Sequence, residues 1–310
     1  MNKNFKQILF VFLGLLTLLP FINAPVALVI GVAFSLILGN PFPEHSAKIS
    51  KILLQVSIVG LGFGLNAVDA FEVSKDGFLI TVATIALVFG LGFLFNKFIK
   101  IDKITGLLIS SGTAICGGSA IASVSPILKA KNQQISIAIG VVFVLNAVAL
   151  LIFPLIGKLL GLTQYQFGLW SAIAIHDTSS VVGAAQAFGA EALETATTVK
   201  LSRALWIIPL TLIISYFYNK KTNVSGVKIP LFIVFFIVAI IIASIFPQGE
   251  FLYEPISAIA RQLLVTTLFL IGAGISLPQI KKVGTKSFFY ATGLWVVVSI
   301  FSLIIIIKNF

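Results

Sequence analysis

The chain has 310 residues, 58% of them hydrophobic and only 10% charged, with a mean hydropathy of +1.11. Soluble domains carry about 25% charged residues, so this composition excludes an ordinary soluble protein, and the lack of alternating ten-residue runs argues against a β-barrel. The net charge of +11 comes from lysines scattered over short loops, a pattern of membrane orientation rather than of nucleic-acid binding.

A spanning helix needs about 20 apolar residues. Read in chain order, that rule places segments near 7–22, 25–40, 47–66, 77–97, 105–128, 134–157, 165–190, 196–218, 229–246, 255–277 and 286–308. Lys3 and Lys6 before an apolar run resemble a signal peptide, but a second hydrophobic segment follows at once. The run is therefore read as the first transmembrane helix. The expectation is an all-α polytopic membrane protein of about 9–11 segments, forming one integral membrane domain.

Loop charge divides into two sets. Lys3, Lys6, Lys48, Lys51, Lys97, Lys100, Lys103, Lys129, Lys131, Lys220, Lys221, Lys228, Lys281, Lys282 and Lys286 stand against only Glu44 and Asp102. The other set holds Asp69, Glu72, Asp76, Glu191, Glu194, Glu250 and Glu254. The positive-inside rule puts the first set, and the N-terminus, in the cytoplasm. Two of the basic loops, 97–104 and 129–133, flank segment 105–128. Either that segment enters and leaves on one side as a re-entrant hairpin, with 165–190 as its counterpart from outside, or both span as helices unwound at mid-membrane. Charge favours the hairpins.

Internal repetition points to an inverted arrangement, with a first repeat region over 25–157 and a second over 165–308. Ile49–Asn66 resembles Ile259–Ser276 at an offset of 210, pairing Gly62 and Gly64 with Gly272 and Gly274. The two broken segments align at an offset of 62, from Gly106-Leu107 and Gly168-Leu169. Opposed repeats with discontinuous helices near the bilayer midplane are a secondary-transporter architecture.

The candidate site lies in those two broken segments. Residues 110–126 hold Thr113, Cys116, Gly117, Gly118 and Ser119, and residues 170–189 hold His176, Asp177, Thr178, Ser179 and Ser180. Unpaired backbone in hydrocarbon must find protein or a polar cavity, and the amino end of a half-helix offers free N–H groups and partial positive charge to an anion. Gly117, Gly118, Ser119, Thr178, Ser179 and Ser180 would form such a cradle; the alternative is close helix packing by small residues. Asp177 and His176 would couple H⁺ or Na⁺, or Asp177 would simply cap the second half-helix through Ser179 or Ser180. Three neighbours on one turn cannot form a hydrolytic triad alone, so no enzyme is expected. Arg203 either snorkels outward or faces inward as an anion partner. Asn146 would bridge helices or line the path. Cys116 reads as a small apolar filler, and Trp170, Trp206 and Trp295 as packing or interfacial residues. A lone cysteine and two distant histidines leave no disulfide and no cysteine- or histidine-based metal site, and no cofactor is expected.

GTAICGGSAIASVSPILKA (112–130) and GLWSAIAIHDTSSVVGAA (168–185) resemble the YeiH-type family of bacterial inner-membrane proteins, labelled sulfate exporters. The resemblance implies a cytoplasmic-membrane location and a link to sulfur oxyanions. More distantly, VGLGFGLNAVDAF (59–71) followed by residues 116–119 is similar to the bile-acid symporter and cation–proton antiporter superfamily. That kinship implies two broken helices that span and cross. The resulting expectation is a secondary transporter of a small anion coupled to H⁺ or Na⁺, seated in a lipid bilayer, with a homodimer as the natural scaffold. The alternatives are a cation–proton antiporter using Asp177 and a non-transporting membrane scaffold.

Overall fold

The computed structural model describes residues 3–218, 231–274 and 284–310, and among these all regular structure is helical. The chain divides into two compact units, Met1–Phe71 with Pro230–Leu277, and Glu72–Ile229 with Pro278–Phe310. Each draws on both repeat regions. Lys220, Lys221, Lys228, Lys281 and Lys282 lie outside the described residues, as do the last two positions of the matched stretch 259–276.

The first unit holds α1 (Lys3–Leu16), α2 (Ala24–Leu38), α3 (Pro43–Gly62), α12 (Leu231–Ile245) and α13 (Glu250–Gly274). Asn23 caps α2 by accepting the Val26 N–H at 3.0 Å, and Gly39 ends that helix at φ 74°. Helix α3 packs on α12 and α13, and α13 packs on α2, so exchanging α2 with α12 and α3 with α13 maps the packing onto itself. The matched glycines mark the equivalent contacts. A Cβ on Gly62 would lie 2.8 Å from the Phe236 carbonyl of α12, and one on Gly272 would lie 2.5 Å from the Leu28 carbonyl of α2. Gly60 faces Ala260 while Gly64 faces Ser257, so α3 and α13 run antiparallel, as an inverted repeat requires.

The second unit holds α4 (Ala67–Ile99, from residue 72), α5 (Lys103–Ala114), α6 (Gly118–Val124), α7 (Asn132–Leu159), α8 (Gln164–Ala174), α9 (Thr178–Phe188), α10 (Ala190–Ala204), α11 (Ile207–Tyr218) and α14 (Thr285–Asn309). Five stretches of the described chain are helices long and apolar enough to cross a membrane: 67–99, 132–159, 190–218, 247–274 and 285–309. Helices α1, α2 and α12 are apolar but have only 14 or 15 residues, about 21–23 Å at 1.5 Å per residue.

Two acidic stretches expected in loops lie in helix instead. Helix α4 begins ten residues before the expected segment and has 33 residues, about 50 Å against a hydrocarbon core of about 30 Å. Asp69, Glu72 and Asp76 thus ride on its first turns. Helix α10 begins at Ala190, directly after Gly189, and carries Glu191 and Glu194. That shift of register decides where the chain's buried cations lie.

Candidate functional site

Both broken segments are re-entrant. Asp102 caps α5, and its Oδ2 also accepts the Gln134 side-chain N–H at 2.7 Å. The start of α7 therefore sits at the start of α5, and the chain between them has gone in and come back. The second hairpin closes the same way. Thr163 caps α8 with Gln166 in a reciprocal capping box, and the Gln164 Oε1 accepts the Glu191 N–H at 3.1 Å. An ideal Cβ on Gly189 would stand 2.0 Å from that oxygen, so a side chain there would have to displace the Gln164 amide that closes the base. The spanning, crossed helices implied by the antiporter resemblance are replaced by two hairpins, because their ends are tied together at each base.

The hairpins enter from opposite ends. Tyr290, early in α14, bonds Ser110 of α5 at 2.9 Å, whereas the end of α14 reaches α8: Ser299 O accepts from Trp170, and the Phe310 ring lies 6.0 Å from that of Tyr165. Helix α7 runs the whole distance, from Gln134 at the base of the first hairpin to Gly157, which packs on Phe167 and Phe188 of the second. The bases differ in charge as the loops do. Lysines 97, 100, 103, 129 and 131 surround the first, while the Tyr165 hydroxyl donates to Asp76 at 2.5 Å at the second, near Glu191.

The tips meet tip to tip. Helices α5 and α8 have 12 and 11 residues, about 18 and 17 Å, so they converge near the midpoint of the roughly 42 Å helix α7. Asn146 stands at that midpoint and accepts the His176 N–H on Oδ1 at 3.0 Å. Gly117 has φ 63° and ψ −123°, and its Cβ would lie 3.5 Å from both the Asp177 Cβ and the His176 carbonyl carbon.

At the tips the carbonyl ends of α5 and α8 turn inward, where a helix end without partners would be costly. Two cations of α10 supply the partners. Lys200 Nζ donates to Ile175 O at 2.6 Å and to Ala172 O and Ile115 O, both at 3.2 Å. Arg203 donates from Nε and Nη2 to Ala114 O at 3.1 and 2.5 Å, and from Nη1 to Ile173 O at 3.1 Å. Trp295 Nε1 takes Ala174 O at 3.0 Å. Every carbonyl from 172 to 175 is thus held by a side chain. Lys200 and Arg203 are 0% and 1% exposed. Arg203 faces inward rather than snorkelling, and its bonds go to main-chain carbonyls. Such placement also matches charge to dipole, since helix carboxyl ends are the negative ends.

The amino ends are organised differently. Asp177 Oδ1 accepts the Ser180 N–H at 2.6 Å and caps α9. The N–H groups of Thr178 and Ser179 have no hydrogen-bond partner among the described residues, and residues 177–179 are half-buried. Ser119, at the start of the seven-residue α6, is exposed, while Gly118 is half-buried beside Phe143. Around the tips, Thr113 Oγ1, Asn146 Nδ2 and both ring nitrogens of His176 are buried without a hydrogen-bond partner among the described residues. Cys116 is buried and makes no disulfide, and Trp170 and Trp295 both stack against Phe153.

The structure therefore brings together Thr113, Cys116, Gly117 and Gly118 of one tip with Asn146, His176 and Asp177, and adds Lys200, which sequence reasoning missed. Its signal was the Lys-x-x-Arg spacing on one face of a segment whose threonines 195, 197 and 198 are also buried. Starting the helix at 196 instead of 190 placed Arg203 close to the segment's edge, where it was free to snorkel outward. No group of three or more His, Cys, Asp or Glu suited to a metal occurs among the described residues.

The family model for Conserved hypothetical protein 698 matches residues 7–291. A UPF0324 membrane protein of Vibrio parahaemolyticus is 49% identical over 97% of this chain and 98% of its own length. A UPF0324 membrane protein of Bacteroides thetaiotaomicron is 48% identical over 94% of this chain and 88% of its own. No solved structure matches the chain. With near-complete coverage at this identity, and a multi-pass helical fold to match, the chain belongs to the UPF0324 family of bacterial membrane proteins, the YeiH-type family that its two broken segments resemble.

Proposed function

We propose that the protein is a secondary transporter of a small anion, sulfate or a related sulfur compound, working by alternating access in the bacterial cytoplasmic membrane. The observation that carries this reading is the division of labour at the hairpin tips. The carbonyl ends, which a Na⁺ ion would need as ligands, are occupied by Lys200, Arg203 and Trp295. What remains open is the amino end of α9 with Thr178 and Ser179, in the field of two buried cations. Such an end binds anions, and the net charge of Lys200, Arg203 and Asp177 together is positive. This favours an anion over the cation–proton antiporter reading of Asp177.

His176 and Asp177 stand beside the cradle and are the groups at which substrate would be coupled to H⁺ or Na⁺. The basic base of the first hairpin would face the cytoplasm, as would the N-terminus. Alternating access needs one body that carries the site and one that does not, and the division into two compact units supports that reading.

The test is a thermal-shift screen of the detergent-purified protein against sulfate, thiosulfate, sulfite, taurine, phosphate, Na⁺ and pH, followed by flux in proteoliposomes. A ligand at 100 times its Kd stabilises by about 2.7 kcal/mol. A sulfur anion that stabilises the protein and is carried, with flux lost in Asp177→Asn, is the expected result. Stabilisation by Na⁺ alone would overturn the anion reading in favour of the antiporter, and flux of no anion would leave a membrane scaffold.

A further inference from the structure

Lys200 and Arg203 do more than neutralise helix ends, because each reaches both hairpins. Lys200 takes Ile115 O from the first tip and Ala172 O and Ile175 O from the second. Arg203 takes Ala114 O from the first and Ile173 O from the second. All these acceptors are main-chain atoms, so the bonds fix backbone against backbone and do not depend on a side-chain rotamer in either tip. Separating the tips would strand buried carbonyls and leave two buried cations short of acceptors, which is costly in a low-dielectric interior. A hairpin could therefore not swing away alone without breaking several charge-assisted bonds at once.

We infer that Lys200 and Arg203 are positioning residues that tie the two hairpin tips and α10 into one rigid body, so that the hairpins move together and neither serves as an independent gate. The tie itself stands on geometry; only its use in transport rests on the anion-carrier reading above. Both residues act through the backbone they hold and need not touch the substrate.

Amide hydrogen exchange on the full-length protein in detergent reads the tie directly. Gly117 N–H, bonded to Gly112 O, reports on the first tip. Ile175 N–H, bonded to Ser171 O, and His176 N–H, bonded to Asn146, report on the second. Lys200→Met is expected to speed exchange at both tips by about tenfold or more, the size of losing a charge-assisted bond from a local opening equilibrium. Lys200→Arg, which keeps the charge and offers more donors, should restore protection at both tips together. Arg203→Lys, a milder change that serves if Lys200→Met does not fold, should loosen both tips by a smaller factor. Exchange that rises at one tip only, or at neither, overturns the tie. Asp177→Asn separates the two readings: flux lost with tip exchange unchanged leaves the tie intact, whereas wild-type flux would count against the transport site and not against the tie.

Discussion

Gly117 and Gly118 are neighbours in sequence, yet substitution of the two should have opposite consequences. Gly117 sits at φ 63° and ψ −123°, a conformation that a side chain with a Cβ resists at about 1–3 kcal/mol. Its Cβ would also stand 3.2 Å from Val142 Cγ1 and 3.5 Å from Asp177 Cβ. Those contacts are close but not prohibitive, so the backbone term dominates and Gly117→Ala should cost about 2 kcal/mol. Gly118 is the first residue of α6, and its Cβ would meet only Phe143, at 3.7 and 3.9 Å. Alanine there meets no obstacle and recovers up to about 1 kcal/mol of helix propensity. The assay is thermal unfolding of both variants in one detergent, followed by flux. Gly117→Ala should unfold well below the wild type and lose flux, because the added Cβ and any backbone adjustment fall directly against His176 and Asp177. Gly118→Ala should match or exceed the wild type in stability. Equal stability of the two variants would refute the argument, since it would mean that the tip does not hold its backbone in this geometry.

Other expectations follow from the caps and bases. Asp177→Ala removes the α9 cap and should cost about 0.5–2 kcal/mol, while Asp177→Asn keeps an acceptor and should cost a few tenths at most; chemical denaturation separates the two. Burial pushes the Asp102 carboxyl up, but the Thr105 N–H, the Thr105 hydroxyl and Gln134 outweigh it and hold the group below the ordinary carboxylate range. With its folded pKa depressed, Asp102 contributes stability that is complete above about pH 4 and fades as pH falls through the lower folded value. Asp102→Asn should remove that acid-side slope together with the neutral-pH stability that the slope measures, so wild type and variant should differ at neutral pH and converge as pH falls, as melting curves at stepped pH will show. Gly189→Ala should displace the Gln164 amide and break its bond to the Glu191 N–H, because its Cβ would overlap Gln164; faster amide exchange at Glu191 reads this.

Much of the fold was legible because membranes enforce simple rules. Loop charge favoured the first hairpin over a spanning broken helix, because two basic loops flank one apolar segment, and Asp102 does bond Gln134. The glycine pairs 62/64 and 272/274 exposed the inverted repeat, and at Gly62 and Gly272 close backbone approach is what leaves the mark, whereas Gly274 faces open space. The broken segments were visible because Gly-Gly and His-Asp cannot be accommodated as plain helix in hydrocarbon. Lys200 was hidden for the same reason that the hairpins were visible. A hydropathy reading treats charge as a sign of water, so Glu191 and Glu194 read as a loop, Arg203 as lying near a segment's edge, and Lys200 was passed over. In the folded chain α10 starts at the base of the second hairpin and descends about 15–20 Å to residues 200–203, the depth at which α8 ends.

That depth explains why both cations can be buried at all. A lone lysine or arginine at mid-membrane is expensive, and a lone pair of helix carboxyl ends is expensive too, since their carbonyls are unpaired. Each structure solves the other's problem only if the two carboxyl ends converge on one place, which requires hairpins entering from opposite ends and of nearly equal length. Helices α5 and α8, with 12 and 11 residues, meet that condition, and Asn146 at the midpoint of α7 fixes the level. The Lys-x-x-Arg spacing then follows from helix geometry: residues three apart share a face, so one face of α10 can serve both tips. With the carbonyl ends satisfied from within, the open ends at mid-membrane are the amino ends, and an opening of that polarity suits an anion.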